Sequence, residues 1–69
     1  MVLKPNTSYI VVKDFCLFGL YSAIDLVKGQ IVHTTDVCSL NELIDVECGP
    51  WSSVEVFVSY NYSGLLEEL

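Results

Sequence analysis

Arginine is absent from this 69-residue chain, and only three lysines stand against nine acidic residues, which gives a net charge of −6. Phosphate affinity comes from lysine and arginine, so we expect no direct nucleic-acid binding. Beyond Lys28 the chain carries seven carboxylates and no cation. Two interpretations remain open: the acidic half keeps an apolar small protein in solution, or it faces a basic protein partner.

Long uncharged runs are also missing. Near the N-terminus the longest is Phe15–Ile24, only half of the roughly 20 residues that a spanning helix needs. Pro5 and Asn6 follow Lys4 at once, where a secretory signal would have its apolar region. The sequence therefore predicts a soluble cytoplasmic protein with free thiols and no membrane contact.

The cysteines give no metal or disulfide framework. Cys16, Cys38 and Cys48 are odd in number and include no closely spaced pair, which is a poor basis for disulfides. With His33 they make a Cys₃His set, but the spacing lacks the short knuckle of a structural zinc site. We expect no metal and no cofactor, and we leave open whether Cys38 and Cys48 pair under oxidation.

Motifs for catalysis are missing as well. The four glycines are isolated, so no phosphate-binding loop is present, and no nucleophile elbow surrounds a serine. A chain this small also has little room for a water-excluding cleft. We expect a protein that is not an enzyme, with His33 as a surface or hydrogen-bonded strand residue.

Apolar residues, at 52% of the chain, dominate what is present, and their pattern is typical of strands. Runs rich in β-branched and aromatic residues predict strands at Tyr9–Phe15, Ile31–Thr35, Val46–Cys48 and Ser53–Tyr62. The last run has the clearest alternation. It directs Val54, Val56, Val58, Tyr60 and Tyr62 to one side, and Phe57 to the polar side with Glu55, Ser59 and Asn61.

Three segments connect or end these strands. Phe15–Leu26 fits either a long hairpin arm or one or two helical turns, and 65–69 fits a helical turn or a last strand. Val27–Gln30 predicts a turn in which Gly29 suits a positive φ.

A short helix is predicted over residues 39–45. Ser39 and Glu42 fit a capping box, and three apolar residues follow with helical spacing. These are Leu40, Leu43 and Ile44. Its length of barely two turns means that tertiary packing would have to stabilise it.

Together the elements predict a single mainly β domain: a small SH3-like barrel, or a strongly bent antiparallel sheet of four or five strands, with one short helix at 39–45. The order resembles SH3-like barrels, in which a first strand such as Tyr9–Phe15 precedes a long irregular hairpin. A Lys-Gly turn such as Val27–Gln30 then leads to the second strand, and a short turn like Tyr60–Ser63 precedes the last segment.

The chain departs from peptide-binding SH3 domains in two ways. It has no Ala-Leu-Tyr-Asp-Tyr run, and Trp51 stands without a second tryptophan beside it. The resemblance therefore does not imply recognition of proline-rich peptides. The chain's size, its lack of arginine and its pI of about 4.2 also look like small accessory proteins of bacteriophages, which would place it in a host cytoplasm.

Acidic and aromatic residues are the candidates for contact with a partner. Trp51 fits either an exposed interface anchor or a lid over one end of the barrel, and Phe57 must be covered by the helix or by another chain. The candidate contact residues are Asp36, Glu42, Asp45, Glu47, Trp51 and Phe57. They favour a small acidic inhibitor or modulator of a larger nucleic-acid-handling protein; the alternative is an assembly subunit that buries an apolar face in a homo-oligomer or larger particle.

Overall fold

The computed structural model describes residues 2–38 and 42–69, which form a mainly β structure without helix. The strands are β1 (Ser8–Val11), β2 (Phe15–Phe18), β3 (Ala23–Leu26), β4 (Ile31–Cys38), β5 (Leu43–Gly49), β6 (Ser52–Phe57) and β7 (Leu66–Glu68). Five of them form an antiparallel sheet in the order β6-β5-β4-β1-β7, and β2 pairs with β3 in a separate hairpin. The sheets do not close into a barrel. Within these two ranges, no helix could span a lipid bilayer.

The core lies on one face of the larger sheet, as the period-2 alternation requires. The prediction that Val54, Val56 and Val58 point inward is confirmed, because all three are buried. Val11 of β1 and Val32 of β4 are buried as well. The remaining buried apolar residues are Leu3, Tyr9, Leu17, Leu26, Ile44, Val46, Cys48, Tyr62 and Leu66.

The predicted strand Tyr9–Phe15 is two strands in the structure. β1 ends at Val11, and β2 begins at Phe15. The backbone N–H of Val12 donates to the carbonyl of Leu65 at 2.9 Å, and Asp14 Oδ1 accepts from the N–H of Lys28 at 2.7 Å. The first contact continues the pairing of β1 with β7 by one residue, and beyond it the chain leaves the larger sheet. The run of β-branched and aromatic residues could not reveal where β1 ends, because both partners lie far away in sequence.

The predicted strand Ser53–Tyr62 is too long, since β6 ends at Phe57. The N–H of Val58 donates to the carbonyl of Glu42, and a turn follows at Val58 and Ser59. Alternation stops there, so Tyr60 is 59% exposed rather than inward. Tyr62 returns to the core after the turn.

The helix predicted over 39–45 is wrong for residues 43–45, which begin β5. Residues 39–41, including the predicted cap Ser39 and apolar Leu40, lie outside the described ranges. The alternation of β5 continues to Cys48, and β4 and β6 pair with it on both sides. Two helical turns cannot compete with two rows of strand hydrogen bonds.

The segment Phe15–Leu26 forms a hairpin, the first of its two predicted alternatives. Phe15 pairs with Leu26, and Phe18 pairs with Ala23. The hairpin tip reaches the edge of the larger sheet, where the N–H of Leu20 donates to the carbonyl of Glu55 at 2.9 Å. The hairpin therefore covers part of the open backbone of β6.

The remaining turn and the chain end follow the sequence. The turn between β3 and β4 is confirmed, with Gly29 at φ 93°, a conformation that only glycine adopts freely. The segment at 65–69 contains a strand, β7, rather than a helical turn.

Candidate functional site

The outer face of β5 and β6 carries three of the six candidate contact residues. Cross-strand pairing puts Asp45 opposite Glu55 and Leu43 opposite Phe57. Glu47 lies two residues beyond Asp45 on the same face, because side chains alternate along a strand. We name this surface, formed by Asp45, Glu47, Glu55 and Phe57, the acidic face.

A bulge in β4 adds Asp36 to the acidic face. Thr34 pairs with Val46 and Val37 pairs with Ile44, so two residues of β4, Thr35 and Asp36, stand against the single Asp45. Such a bulge adds one residue to a strand and redirects a side chain. Asp36 is exposed, and its Oδ1 accepts a hydrogen bond from Asn6 Nδ2 at 3.3 Å. Three predicted contact residues, Asp36, Asp45 and Glu47, are therefore neighbours.

Glu42 has a different position from the one predicted. It is exposed in the turn before β5, and its backbone carbonyl accepts from Val58 N–H at 2.9 Å. It therefore does not share a helix face with Asp45. The reason is the strand conformation of β5, which replaces the predicted helix.

Trp51 and Phe57 are both exposed aromatic side chains. Pro50 and Trp51 form the two-residue turn between β5 and β6, because Gly49 pairs with Ser52. Two positions were predicted for Trp51, an exposed side chain or a lid over one end of a barrel. The side chain is 95% exposed, so it is not a lid. Phe57 is 51% exposed, and no helix of the described ranges covers it; of its two predicted alternatives, cover by another chain stays a prediction.

His33 lies at the surface of β4 and is hydrogen-bonded, as expected. Its Nδ1 lies 2.7 Å from Ser8 Oγ, and it pairs across the strands with Glu47. Serine, histidine and glutamate thus stand in one row on three strands. The row lies on a solvent-accessible face of the sheet, where water competes for the hydrogen bond between Ser8 and His33, and we assign the row to strand pairing.

The described thiols are free. Burial, and then a hydrogen bond with Asp25, raises the pKa of the Cys16 thiol, and burial raises the pKa of the Cys48 thiol. Both therefore stay in the protonated thiol form near neutral pH. A thiol is a poor nucleophile and a poor metal ligand compared with a thiolate. Within the ranges 2–38 and 42–69, no three metal-ligating side chains come together. The question of a Cys38–Cys48 pair lies outside the described side chains.

A second aromatic surface was missed by the sequence reasoning. Phe18, Leu20 and Tyr21 are exposed at the tip of the β2–β3 hairpin, at 74%, 40% and 91%. Phe18 and Tyr60 also line a shallow groove with Phe15 and Tyr62. The available signal was Gly19, which breaks an apolar run and marks a turn with large residues on both sides. We name Phe18, Leu20, Tyr21 and Tyr60 the hairpin patch.

Comparisons with known proteins leave these two surfaces to be interpreted from their chemistry. No protein-family model matches the chain, and no curated protein or solved structure that it was compared with does so either.

Proposed function

We propose that this protein is a non-enzymatic, acidic protein-binding module that inhibits or modulates a larger nucleic-acid-handling protein. Its carboxylates would occupy lysine and arginine sites on the partner that otherwise receive phosphates. Exposed carboxylates accelerate association and select the partner, whereas aromatic side chains supply most of the affinity. No cofactor takes part in this mechanism.

The acidic face carries this proposal. Asp36, Asp45 and Glu47 lie side by side across a bulge, with Phe57 on the same face and Trp51 at the adjoining turn. The sequence supplies no lysine or arginine beyond position 28 to neutralise them. A cluster of two exposed carboxylates and one half-buried carboxylate, Asp45, with aromatic neighbours is suited to a basic protein surface.

We also propose an SH3-like architecture and a bacteriophage origin, with action in the host cytoplasm. The strand order β6-β5-β4-β1-β7, with a hairpin inserted between β1 and β4, supports the first part. The missing arginine and the acidic composition support the second. An SH3-like strand order alone assigns no activity, because function depends on the site.

The proposal is tested with a panel of nucleases and polymerases that have basic nucleic-acid grooves. We expect one of them to bind with an association rate that falls steeply as salt rises, and duplex DNA to compete for the same site. Charge reversal of Asp36, Asp45 and Glu47 to lysine should slow association and flatten its salt dependence. The fold should survive, because Asp36 and Glu47 are exposed, Asp45 is half-buried on the outer face of the sheet, and charges at a protein surface contribute little to stability.

A matched variant controls for total charge. Reversal of Asp25, Glu67 and Glu68 changes the net charge by the same amount on exposed positions outside the acidic face. It should slow association much less. Equal association rates for the wild type and the Asp36, Asp45 and Glu47 variant at low salt would contradict the electrostatic mechanism.

The alternative function is an assembly subunit that buries an apolar face. The hairpin patch favours it, because Phe18, Leu20 and Tyr21 are exposed on the hairpin and the exposed Tyr60 lines a groove with Phe18, and clustered exposed apolar area marks interaction sites. Self-association through this patch should tolerate salt. Sedimentation at two salt concentrations, with Tyr21→Ser as a patch variant, distinguishes it from the first proposal.

A further inference from the structure

Two grooves meet at the turn between β5 and β6. One is lined by Ile31, His33, Glu47, Gly49 and Pro50, and the other by Glu47, Gly49, Pro50, Trp51, Ser52 and Ser53. They share Glu47, Gly49 and Pro50, so the Glu47 carboxylate stands between them. We name Glu47, Gly49, Pro50 and Trp51 the Trp51 corner.

The negative charge of the Glu47 carboxylate has no partner among the described residues. Within the described ranges, the Glu47 side chain makes neither a hydrogen bond nor an ion pair. No lysine lines either groove. Elsewhere in the described part of the chain, Lys4 forms an ion pair with Glu68 and not with Glu47. A cation from another molecule can therefore reach Glu47 without displacing an internal partner.

The indole of Trp51 supplies the second half of a cation site. At 95% exposure its ring is open to solvent. Tryptophan is the best aromatic partner for a cation, and a planar guanidinium stacks on the ring while it donates hydrogen bonds to a carboxylate. Lysine, a point charge on a flexible stem, cannot do both with the same geometry.

We infer that the Trp51 corner binds an arginine side chain of the protein partner, with the guanidinium against the Trp51 indole and the Glu47 carboxylate. This inference rests on the proposed function, because it names the chemical group that the acidic face receives. It also gives Trp51 a specific role as the anchor that holds the partner after charge has attracted it.

Gly49 allows the corner to be blocked without damage to the fold. A Cβ at this position would meet no atom within 4 Å, and its φ is not positive. A leucine side chain can therefore fill the space that both grooves share. A leucine at Gly29 or Gly64 would be strained, since each of these glycines has a positive φ.

The test uses three short peptides that alternate glycine with arginine, with lysine, or with citrulline, the neutral isostere of arginine. Trp51 is the only tryptophan in the chain, so its fluorescence reports directly on the corner. We expect the arginine peptide to bind at least about fivefold more tightly than the citrulline peptide, given the size of cation–π and charge-assisted contacts. The lysine peptide should lie between them.

Variants locate the binding. Glu47→Gln and Gly49→Leu should each weaken the arginine peptide several-fold, while Glu67→Gln, an exposed carboxylate on β7, should leave its affinity unchanged. Thermal melting verifies that each variant is folded. Equal affinity for arginine and citrulline peptides, or equal loss in Glu47→Gln and Glu67→Gln, would overturn the inference.

The two proposals fail in different ways. If the charge-reversed acidic face loses the protein partner but Gly49→Leu binds the arginine peptide like the wild type, the arginine site is wrong and the proposed function stands. If the corner binds the arginine peptide as expected but no basic-grooved protein binds, the arginine site stands and the proposed function is wrong.

Discussion

Gly19, in the turn of the β2–β3 hairpin, lies directly against Val54 of β6. A Cβ at position 19 would overlap Val54 Cγ1 and would meet the carbonyl oxygen of Glu55 at 2.8 Å. Backbone atoms cannot move aside as the end of a flexible side chain can. The missing side chain is therefore what lets the hairpin tip approach the sheet and lets Leu20 N–H bond to Glu55.

We predict that Gly19→Ala destabilises the protein by roughly 1–3 kcal/mol, the range typical of overpacking. The added methyl group must push the hairpin away from β6 or distort its turn. Urea unfolding measures the change, with Gly49→Ala as the control, because a Cβ there meets nothing. Equal unfolding free energies for the two variants would contradict the close packing of the hairpin on β6.

Thr34 joins the start of the chain to β4 through one hydroxyl. It is 4% exposed, and its Oγ1 accepts from Thr7 N–H at 3.0 Å and donates to the carbonyl of Lys4. We predict that Thr34→Val, which keeps the shape, lowers the free energy of unfolding by roughly 1 kcal/mol, because the buried hydroxyl and its part-buried hydrogen bonds to the backbone of Thr7 and Lys4 are lost.

The loss at Thr34 should be local to its partners. Hydrogen exchange of the Thr7 amide should accelerate in Thr34→Val by more than that of amides in β5. A matched change at the neighbouring half-buried Thr35, Thr35→Val, should cost less, because the described hydrogen bonds of Thr35 use its backbone. A Thr34→Val protein as stable as the wild type would show that the hydroxyl contributes nothing.

The sequence predicted best what depends on neighbours along the chain. Alternation along the predicted strand Ser53–Tyr62 identified Val54, Val56 and Val58 as core residues, because burial of one face imposes period 2 on the sequence itself. It failed at Tyr60, because β6 ends at Phe57 and a turn follows at Val58 and Ser59. The apolar alternation of the sequence continues through that turn, so it left no local signal of the strand end.

Pairing between strands decided the rest. Leu43 and Ile44 fit both a helix and a strand in isolation, and only pairing with β4 and β6 selects the strand. The same limit applies to the site. The acidic composition was evident, but the bulge that sets Asp36 against Asp45 follows from the register between β4 and β5, which no spacing along the chain reveals.

Truncation of Val56 tests the hydrophobic core that the alternation of apolar residues predicted. It is 1% exposed at the centre of β6, and truncation removes apolar contacts and leaves a cavity. We predict that Val56→Ala lowers the free energy of unfolding by roughly 1–3 kcal/mol, a large share of the stability of a small domain. Ser53→Ala, on the exposed face of the same strand, should change the melting temperature little; an unchanged melting temperature for Val56→Ala would mean that the strand orientation is wrong.

Tyr62 makes the fold sensitive to high pH. Its side chain is 2% exposed, and its hydroxyl donates to the carbonyl of Phe57 at 3.4 Å. Burial, with a smaller contribution from Tyr60, raises the pKa of Tyr62 from 10.0 to about 12. The folded state thus favours the neutral phenol, because the charged form would lose its hydration.

The consequence for stability has a definite sign. A pKa that is raised in the folded state means that the unfolded chain releases its proton first, so unfolding becomes more favourable as pH rises above 10. The contribution of the neutral phenol to stability is complete below pH 10 and is lost as pH approaches about 12.

We predict that urea unfolding at a series of pH values shows a decline in the free energy of unfolding between pH 10 and about 12. In Tyr62→Phe this decline should be smaller, because no proton is left to release, whereas Tyr21→Phe, at a 91% exposed position, should keep the wild-type curve. Identical pH dependence in wild type and Tyr62→Phe would mean that Tyr62 ionises as freely in the folded protein as in the unfolded chain.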